Sequence, residues 1–288
     1  MPHIASDSWP LRFELGGVYL AGCPASPTAQ VVPPCRLEYY EPVFDISKGS
    51  EFYPQFSPEW IIDLDEDLGI AYKPPGLPTT AARDQVKYNL ARYLADHFGT
   101  HVHTPSRLDT GVDGLLLFSR SSRMNRALQR AYDKHRIEKV YLALVTPAVE
   151  WKMLDVEAPI GRDPRHPVLR CVDAERGESA HTRLNALLTE GSQTIVQAQP
   201  FTGRTHQIRV HCAASGAPIV GDPYYGGGDA PRMHLTSFAL RFFHPYQQEY
   251  KMYVLPKTMR PEWLRSLDAK HGDIAERLLL SPVARYGV

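Results

Sequence analysis

The run Ser106-Arg107-Leu108-Asp109-Thr110-Gly111-Val112-Asp113-Gly114-Leu115-Leu116-Leu117-Phe118 joins a polar, glycine-punctuated loop to an unbroken apolar segment. Four large apolar residues in a row after such a loop read as a buried strand. Asp109 stands inside the loop, two residues after Arg107. An isolated aspartate in that setting has a plain reading as a turn carboxylate.

On the N-terminal side, Trp60–Leu64 and Leu68–Tyr72 read as strands around the acidic turn Asp65-Glu66-Asp67. Lys73-Pro74-Pro75-Gly76-Leu77-Pro78 cannot continue a strand or helix, because proline lacks an amide donor and fixes φ. Asn89 to Phe98 has helical spacing, with Leu90, Tyr93, Leu94 and Phe98 on one side. Farther on, Ser122 is expected to cap a helix running to Arg136, whose apolar face is Met124, Leu128, Ala131 and Tyr132. Val140 to Val145 is a strand. His181–Leu188 and Thr194–Ala198 alternate like an antiparallel pair. Thr205 to Ala214 resembles a short helix stopped by Gly216.

Residues 1–60 differ in texture. Leu11–Leu20 and Arg36–Tyr40 read as short strands around a proline-rich turn from Cys23 to Pro34, and Lys48 to Pro58 reads as a linker. Strands interleaved with few helices, without regular alternation, predict an α+β fold. Its centre is a mostly antiparallel mixed sheet flanked by helices. The expected division is a small N-terminal segment, 1–58, and a larger domain, 59–288.

The 288 residues are 43% hydrophobic and 22% charged, enough apolar content for a real core. Twenty-five prolines and 20 glycines interrupt any heptad, and no apolar run approaches the roughly 20 residues needed to cross a bilayer. No secretory signal is apparent at Met1-Pro2-His3. Cys23, Cys35, Cys171 and Cys212 are widely spaced, without a Cys-x-x-Cys pair, and read as reduced thiols of a cytoplasmic protein. Thirty-two basic side chains balance 32 acidic ones, so bulk charge makes no case for nucleic-acid binding.

Cofactor chemistry finds little footing. His206 and His211 lie five apart and diverge on a helix, which argues against a metal site. Gly226-Gly227-Gly228 is not followed by the lysine of a phosphate loop, and no G-x-S-x-G elbow is present. More specific is Gly203-Arg204-Thr205-His206-Gln207-Ile208-Arg209-Val210-His211, which packs two arginines, two histidines and a glutamine into nine positions. Ile208 and Val210 interrupt any single polar face, so a solvated helix face explains this run poorly.

Together these segments resemble the RluA-type pseudouridine synthases, which isomerise uridine to pseudouridine in RNA. The resemblance is carried by Ser106-Arg107-Leu108-Asp109 with Gly114-Leu115-Leu116-Leu117-Phe118, by Lys139-x-Tyr141-x-Ala143-Leu144-Val145, and by Gly203 to His211. Lys73-Pro74-Pro75-Gly76, Pro218 to Gly226, and Met233-His234-Leu235 with His244-Pro245 add further matches in the family's order, over about residues 60–255. The family usually has His at Ser106 and Thr-Ser at Val112-Asp113. An extra acid at Asp113 would oppose ionisation of Asp109 through like-charge repulsion. The N-terminal segment resembles only the tail of an alpha-L type RNA-binding module.

The resemblance implies that Asp109 is the essential aspartate, that Tyr141 stacks on the uracil ring and that Arg204 pairs with the aspartate. It further implies that Arg107 enters the space left by the extruded base and that Ile208 walls the pocket, with Arg209 and Lys73 among the substrate-binding residues. The isomerisation breaks a carbon–nitrogen bond and rejoins the base through carbon, with no net redox change, so no cofactor or metal is expected. An adjacent guanidinium favours the charged form of a carboxylate, and an aromatic face recovers part of the few kcal/mol lost when a base leaves its stack. Between Ser119 and Lys139 lie Arg120, Arg123, Arg126, Arg130, Lys134, Arg136 and Lys139 against only Asp133 and Glu138, a candidate phosphate-binding stripe. The expected partner is ribosomal or transfer RNA. No membrane and no obligate protein partner are expected, and the chain is expected to act as a monomer. The competing expectation is a non-catalytic RNA-binding protein on the same fold.

Overall fold

Pro10 and Gly16 bracket the first regular element. Proline is tolerated in a helix's opening turn, and glycine just past the end accepts a left-handed conformation. Trp9–Leu15 accordingly forms helix α1, closed by Gly16 at φ 91°. This corrects the strand expected from Leu11. Leu11, Phe13 and Leu15 alternate with polar residues as a strand would, but the proline and glycine at the two ends decide for the helix. The strand begins at Val18: β1 (Val18–Leu20) pairs antiparallel with β2 (Cys23–Pro24) and β3 (Leu37–Tyr39).

The structure, a computed structural model, describes residues 8–40, 49–83, 86–166 and 168–274. It forms two compact units, Met1–Gly111 with Leu116–Gln129, and Val112–Leu115 with Arg130–Val288. Lys48, the first residue of the expected linker, lies outside the described residues. The rest of that linker contains a single helical turn, α2 (Gly49–Phe52), and leads into a short 3-10 turn at Pro58–Trp60.

In the first unit, β4 (Ile61–Leu64) and β5 (Leu68–Lys73) form the expected antiparallel pair. Asp65 builds their turn, its Oδ1 accepting the amides of Asp67 and Leu68 at 2.9 and 2.7 Å. Helix α1 is tied to the segment preceding Asn89 where the Val86 amide donates to the Leu15 carbonyl at 2.6 Å. Helix α3 (Leu90–Phe98) starts at Asn89, whose side chain accepts the Arg92 amide at 2.9 Å, and ends at left-handed Gly99. Its Leu90 and Leu94 are fully buried.

Strand β6 (Asp113–Ser119) is buried along its whole length, as the leucine run predicts. The following α4 (Ser122–Asp133) is capped one residue earlier than expected, since the Ser121 hydroxyl accepts the Met124 amide at 3.2 Å. It also stops short of Arg136, with His135 at φ 53°.

The second unit contains β7 (Ile137–Val145), β8 (Met153–Val156), the hairpin β9 (Ile160–Arg162) and β10 (Arg170–Val172), β11 (Thr182–Glu190), β12 (Gln193–Pro200), α5 (Gln207–Ala214), β13 (Leu235–Phe243), β14 (Tyr250–Val254) and α6 (Glu262–His271). The sheet runs β6-β13-β7-β12-β11-β8, with β14 also pairing β13. Among these pairings β6–β13 is parallel and the others are antiparallel. The fold is α+β with a mixed, mostly antiparallel sheet. Its register sets Gly114 beside Ser237, Ser237 beside Tyr141, and Tyr141 beside Ala198. Gly114 is required there: at φ 111° an added Cβ would lie 2.1 Å from the Ser237 carbonyl oxygen. Among the described residues, no helix is long and apolar enough to cross a membrane.

Candidate active site

In the first unit the loop holding Asp109 is clamped on both sides by the segment Lys73–Thr79. Before Asp109, the Leu108 amide donates to Thr79 Oγ1 at 3.1 Å and the Thr79 hydroxyl donates back to the Leu108 carbonyl at 2.9 Å. After it, the Thr110 carbonyl accepts the Gly76 amide at 2.8 Å and Lys73 Nζ at 3.2 Å. Lys73 Nζ also donates to the carbonyls of Leu77 and Pro74 at 2.7 and 3.0 Å. The prolines at 74, 75 and 78 explain the arrangement, since they bar regular structure and leave carbonyls for a buried ammonium to gather. Asp109 itself is half-buried and Arg107 is exposed. Lys73 is fully buried. Expected among the substrate-binding residues, it gathers three backbone carbonyls around the loop in which Asp109 stands. Thr79 was not singled out from the sequence, because its role depends on a partner 29 residues away.

In the second unit Tyr141 sits half-buried on β7. Strand β12, which pairs with β7 there, ends at Pro200 and leads directly into the turn carrying Arg204. The Arg204 guanidinium donates through Nε to the Ser179 carbonyl at 3.0 Å and forms an ion pair with Glu178. Helix α5 follows, preceded by His206 in the left-handed conformation at φ 59°. His206 Nδ1 lies 2.8 Å from the Tyr225 hydroxyl, which also accepts the Arg170 amide at 3.0 Å. Ile208 is buried at 7% exposure, in keeping with an apolar residue.

Three charged residues are placed differently from expectation. Arg209, expected at the substrate, is 4% exposed and forms a two-pronged ion pair with buried Asp222, at 2.7 and 2.9 Å. Its guanidinium also lies 5.0 Å from the Tyr225 ring centroid. A cation paired in this way braces α5 against Asp222. Asp113 does not stand as a free second acid. Its carboxylate is fully buried, accepts the Thr236 hydroxyl at 2.7 Å and lies 3.0 Å from Arg232 Nη2, which balances its charge. Lys139 leaves the basic stripe. Burial lowers its pKa from 10.5 to about 8, and its Nζ faces the Thr202 carbonyl at 3.5 Å and the Tyr132 ring.

Arg123, Arg126, Arg130, Lys134 and Arg136 are exposed on and just after α4, while Met124 and Leu128 are buried on its opposite side. That is the amphipathic placement the spacing predicted. Among the described residues, no group of three or more His, Cys, Asp or Glu side chains could hold a metal ion.

The model of the RNA pseudouridylate synthase family matches residues 67–214, which include Asp109, Tyr141 and Arg204. A dual-specificity RNA pseudouridine synthase, RluA of Vibrio cholerae, is 32% identical over 220 residues, covering 74% of this chain and 89% of the relative. An RNA pseudouridine synthase of Bacillus subtilis, YhcT, is 30% identical over 215 residues, 70% of each chain. Among solved structures, human RNA Pseudouridylate Synthase Domain Containing 1 matches with a TM-score of 0.61 and 26% identity, covering 77% of this chain and 95% of that one. None of these similarities supports the non-catalytic alternative. The chain belongs to the RluA-type family of RNA pseudouridine synthases.

Proposed function

We propose that this enzyme isomerises particular uridines of structured ribosomal or transfer RNA, with Asp109 as the attacking carboxylate. The clamp around Asp109 is the observation that carries the reading. Two hydrogen bonds hold Leu108 and two hold Thr110, which fixes the backbone on either side of Asp109 and so pre-positions the carboxylate between them. Such pre-positioning is what a nucleophile needs, because its geometry then costs no reorganisation during the reaction.

In this reading Tyr141 supplies the aromatic face for the flipped uracil, and Arg204 the guanidinium that favours the ionised acid. Arg107, exposed beside Asp109, fills the stack the base has left, and Ile208 is part of the apolar wall. Arg123, Arg126 and Arg130 on α4 contact phosphates. In this reading the N-terminal segment 1–58, which resembles the tail of an RNA-binding module, precedes the catalytic domain 59–288. The four cysteines Cys23, Cys35, Cys171 and Cys212 are free, which fits a reducing cytoplasm, and the enzyme acts as a monomer without cofactor.

The test is pseudouridine mapping of ribosomal and transfer RNA treated with the purified protein. Wild type should convert defined uridines. Asp109→Asn should yield none while still binding RNA and unfolding at the wild-type temperature. Undiminished product from that variant would remove Asp109 from the mechanism.

A further inference from the structure

The side chain of Gln207, the first residue of α5 and 4% exposed, makes four hydrogen bonds. Its Oε1 accepts the Arg204 amide at 2.9 Å and the Thr202 hydroxyl at 2.7 Å. Its Nε2 donates to the His181 carbonyl at 3.0 Å and to Thr182 Oγ1 at 2.9 Å. Two acceptor sites and two donor protons are the whole capacity of a carboxamide.

The proton directions around it follow a single chain. Thr182 Oγ1, already accepting from Gln207, is left to donate its own proton to His211 Nδ1 at 2.9 Å. The other ring nitrogen of His211 then donates to the Ala158 carbonyl at 2.9 Å. Burial lowers the His211 pKa, which keeps the ring in the neutral form this chain requires. On the other side, Thr202 Oγ1 accepts the His181 amide at 3.0 Å and gives its proton to Gln207. A glutamate at 207 would lack both donors, and an apolar residue would leave buried partners unpaired, so the network specifies an amide.

The turn from Thr202 to Arg204 is also tied by the His181 amide on Thr202 Oγ1, by Lys139 Nζ at the Thr202 carbonyl and by Arg204 Nε at the Ser179 carbonyl, and the Gln207 oxygen adds the link from the Thr202 hydroxyl to the Arg204 amide. A Cβ added at Gly203 would meet nothing within 4 Å, so no side-chain packing holds that position. The Arg204 side chain is 37% exposed and its ion-pair partner Glu178 71%, and an exposed pair of that kind holds geometry weakly. One oxygen of Gln207 therefore ties Thr202 and Arg204, while its nitrogen is anchored to the start of β11.

We propose that Gln207 is a positioning residue for the isomerisation, holding the Thr202–Arg204 turn and with it the placement of the Arg204 side chain. This rests on the reading of Arg204 given above. Gln207 acts through Arg204 and does not itself touch substrate. A displacement of about 1 Å in a positioned catalytic group lowers rates by up to about 100-fold.

The experiment measures single-turnover rate and RNA dissociation constant, on a transcript that wild type modifies, for Gln207→Met, Thr202→Val, Arg204→Ala and the double variants with Arg204→Ala. Gln207→Met should slow turnover roughly 10- to 100-fold with RNA affinity within about threefold, and Thr202→Val should slow it less. Neither should slow the Arg204→Ala enzyme further, a result that a general loss of folding would not give. Should Gln207→Met fail to fold, the Thr202→Val cycle decides in its place. A well-folded Gln207→Met at full rate, or losses that multiply with Arg204→Ala, would overturn the proposal alone. Arg204→Ala at the wild-type rate would instead overturn the reading of Arg204 and this proposal with it.

Discussion

The ammonium of Lys73 lies 3.2 Å from the carbonyl oxygen of Thr110, the residue directly after Asp109. The same ammonium binds the Pro74 and Leu77 carbonyls, so one buried charge ties the proline-rich turn to the loop in which Asp109 stands. Lys73→Met should leave those carbonyls without their cation and destabilise the protein by about 2–4 kcal/mol. Turnover should fall at least tenfold while RNA affinity holds. Urea unfolding and single-turnover assays read the two effects; a variant with unchanged stability and rate would show that the clamp is dispensable.

The Arg209–Asp222 pair gives a purely structural prediction. Both side chains are buried, so removing one leaves an uncompensated charge, a loss of about 3–5 kcal/mol. Arg209→Met and Asp222→Leu should each lower the denaturation midpoint sharply, and the double variant should be less destabilised than either single one. A direct RNA contact by Arg209 predicts the reverse: a stable Arg209→Met protein with weakened RNA binding.

Lys139 sets a pH dependence whose sign follows from its lowered pKa. Below about pH 8 the amine is protonated in both folded and unfolded states and contributes no slope. Between about 8 and 10.5 only the unfolded chain holds the proton, so stability rises with pH. Relative to Lys139→Met, wild type should gain up to about 3 kcal/mol across that window. Denaturant titrations at several pH values measure the difference, and parallel curves for the two proteins would contradict it.

Glu178 forms an exposed ion pair with the Arg204 guanidinium. An exposed pair contributes at most about 1 kcal/mol, so Glu178→Gln should raise the turnover rate by no more than about fivefold and leave the denaturation midpoint within a degree or two. A large loss of rate in this variant would mean that Glu178 supports the reaction, not that it competes for the arginine.

Several elements were legible because the signal lies within a few residues. The leucine run after Gly114 gave a strand buried throughout, and the apolar spacing from Asn89 to Phe98 gave α3. Where two local signals conflicted, as at Leu11 to Leu15, alternation suggested a strand and the flanking proline and glycine made a helix. Charged side chains were the least legible. Arg209, Lys73 and Asp113 read as functional groups in a neutral chain, and each proved to be buried against a partner distant in sequence: Asp222, the Thr110 carbonyl and Arg232.

The amino-acid order alone determined the family, the α+β class and the loop in which Asp109 stands, because short motifs and hydrophobic periodicity record local conformation. Only the tertiary structure decided which charges are spent inside the protein and which remain available to RNA. Burial and pairing depend on residues brought together from 13 to more than 100 positions apart, and no local pattern encodes that distance.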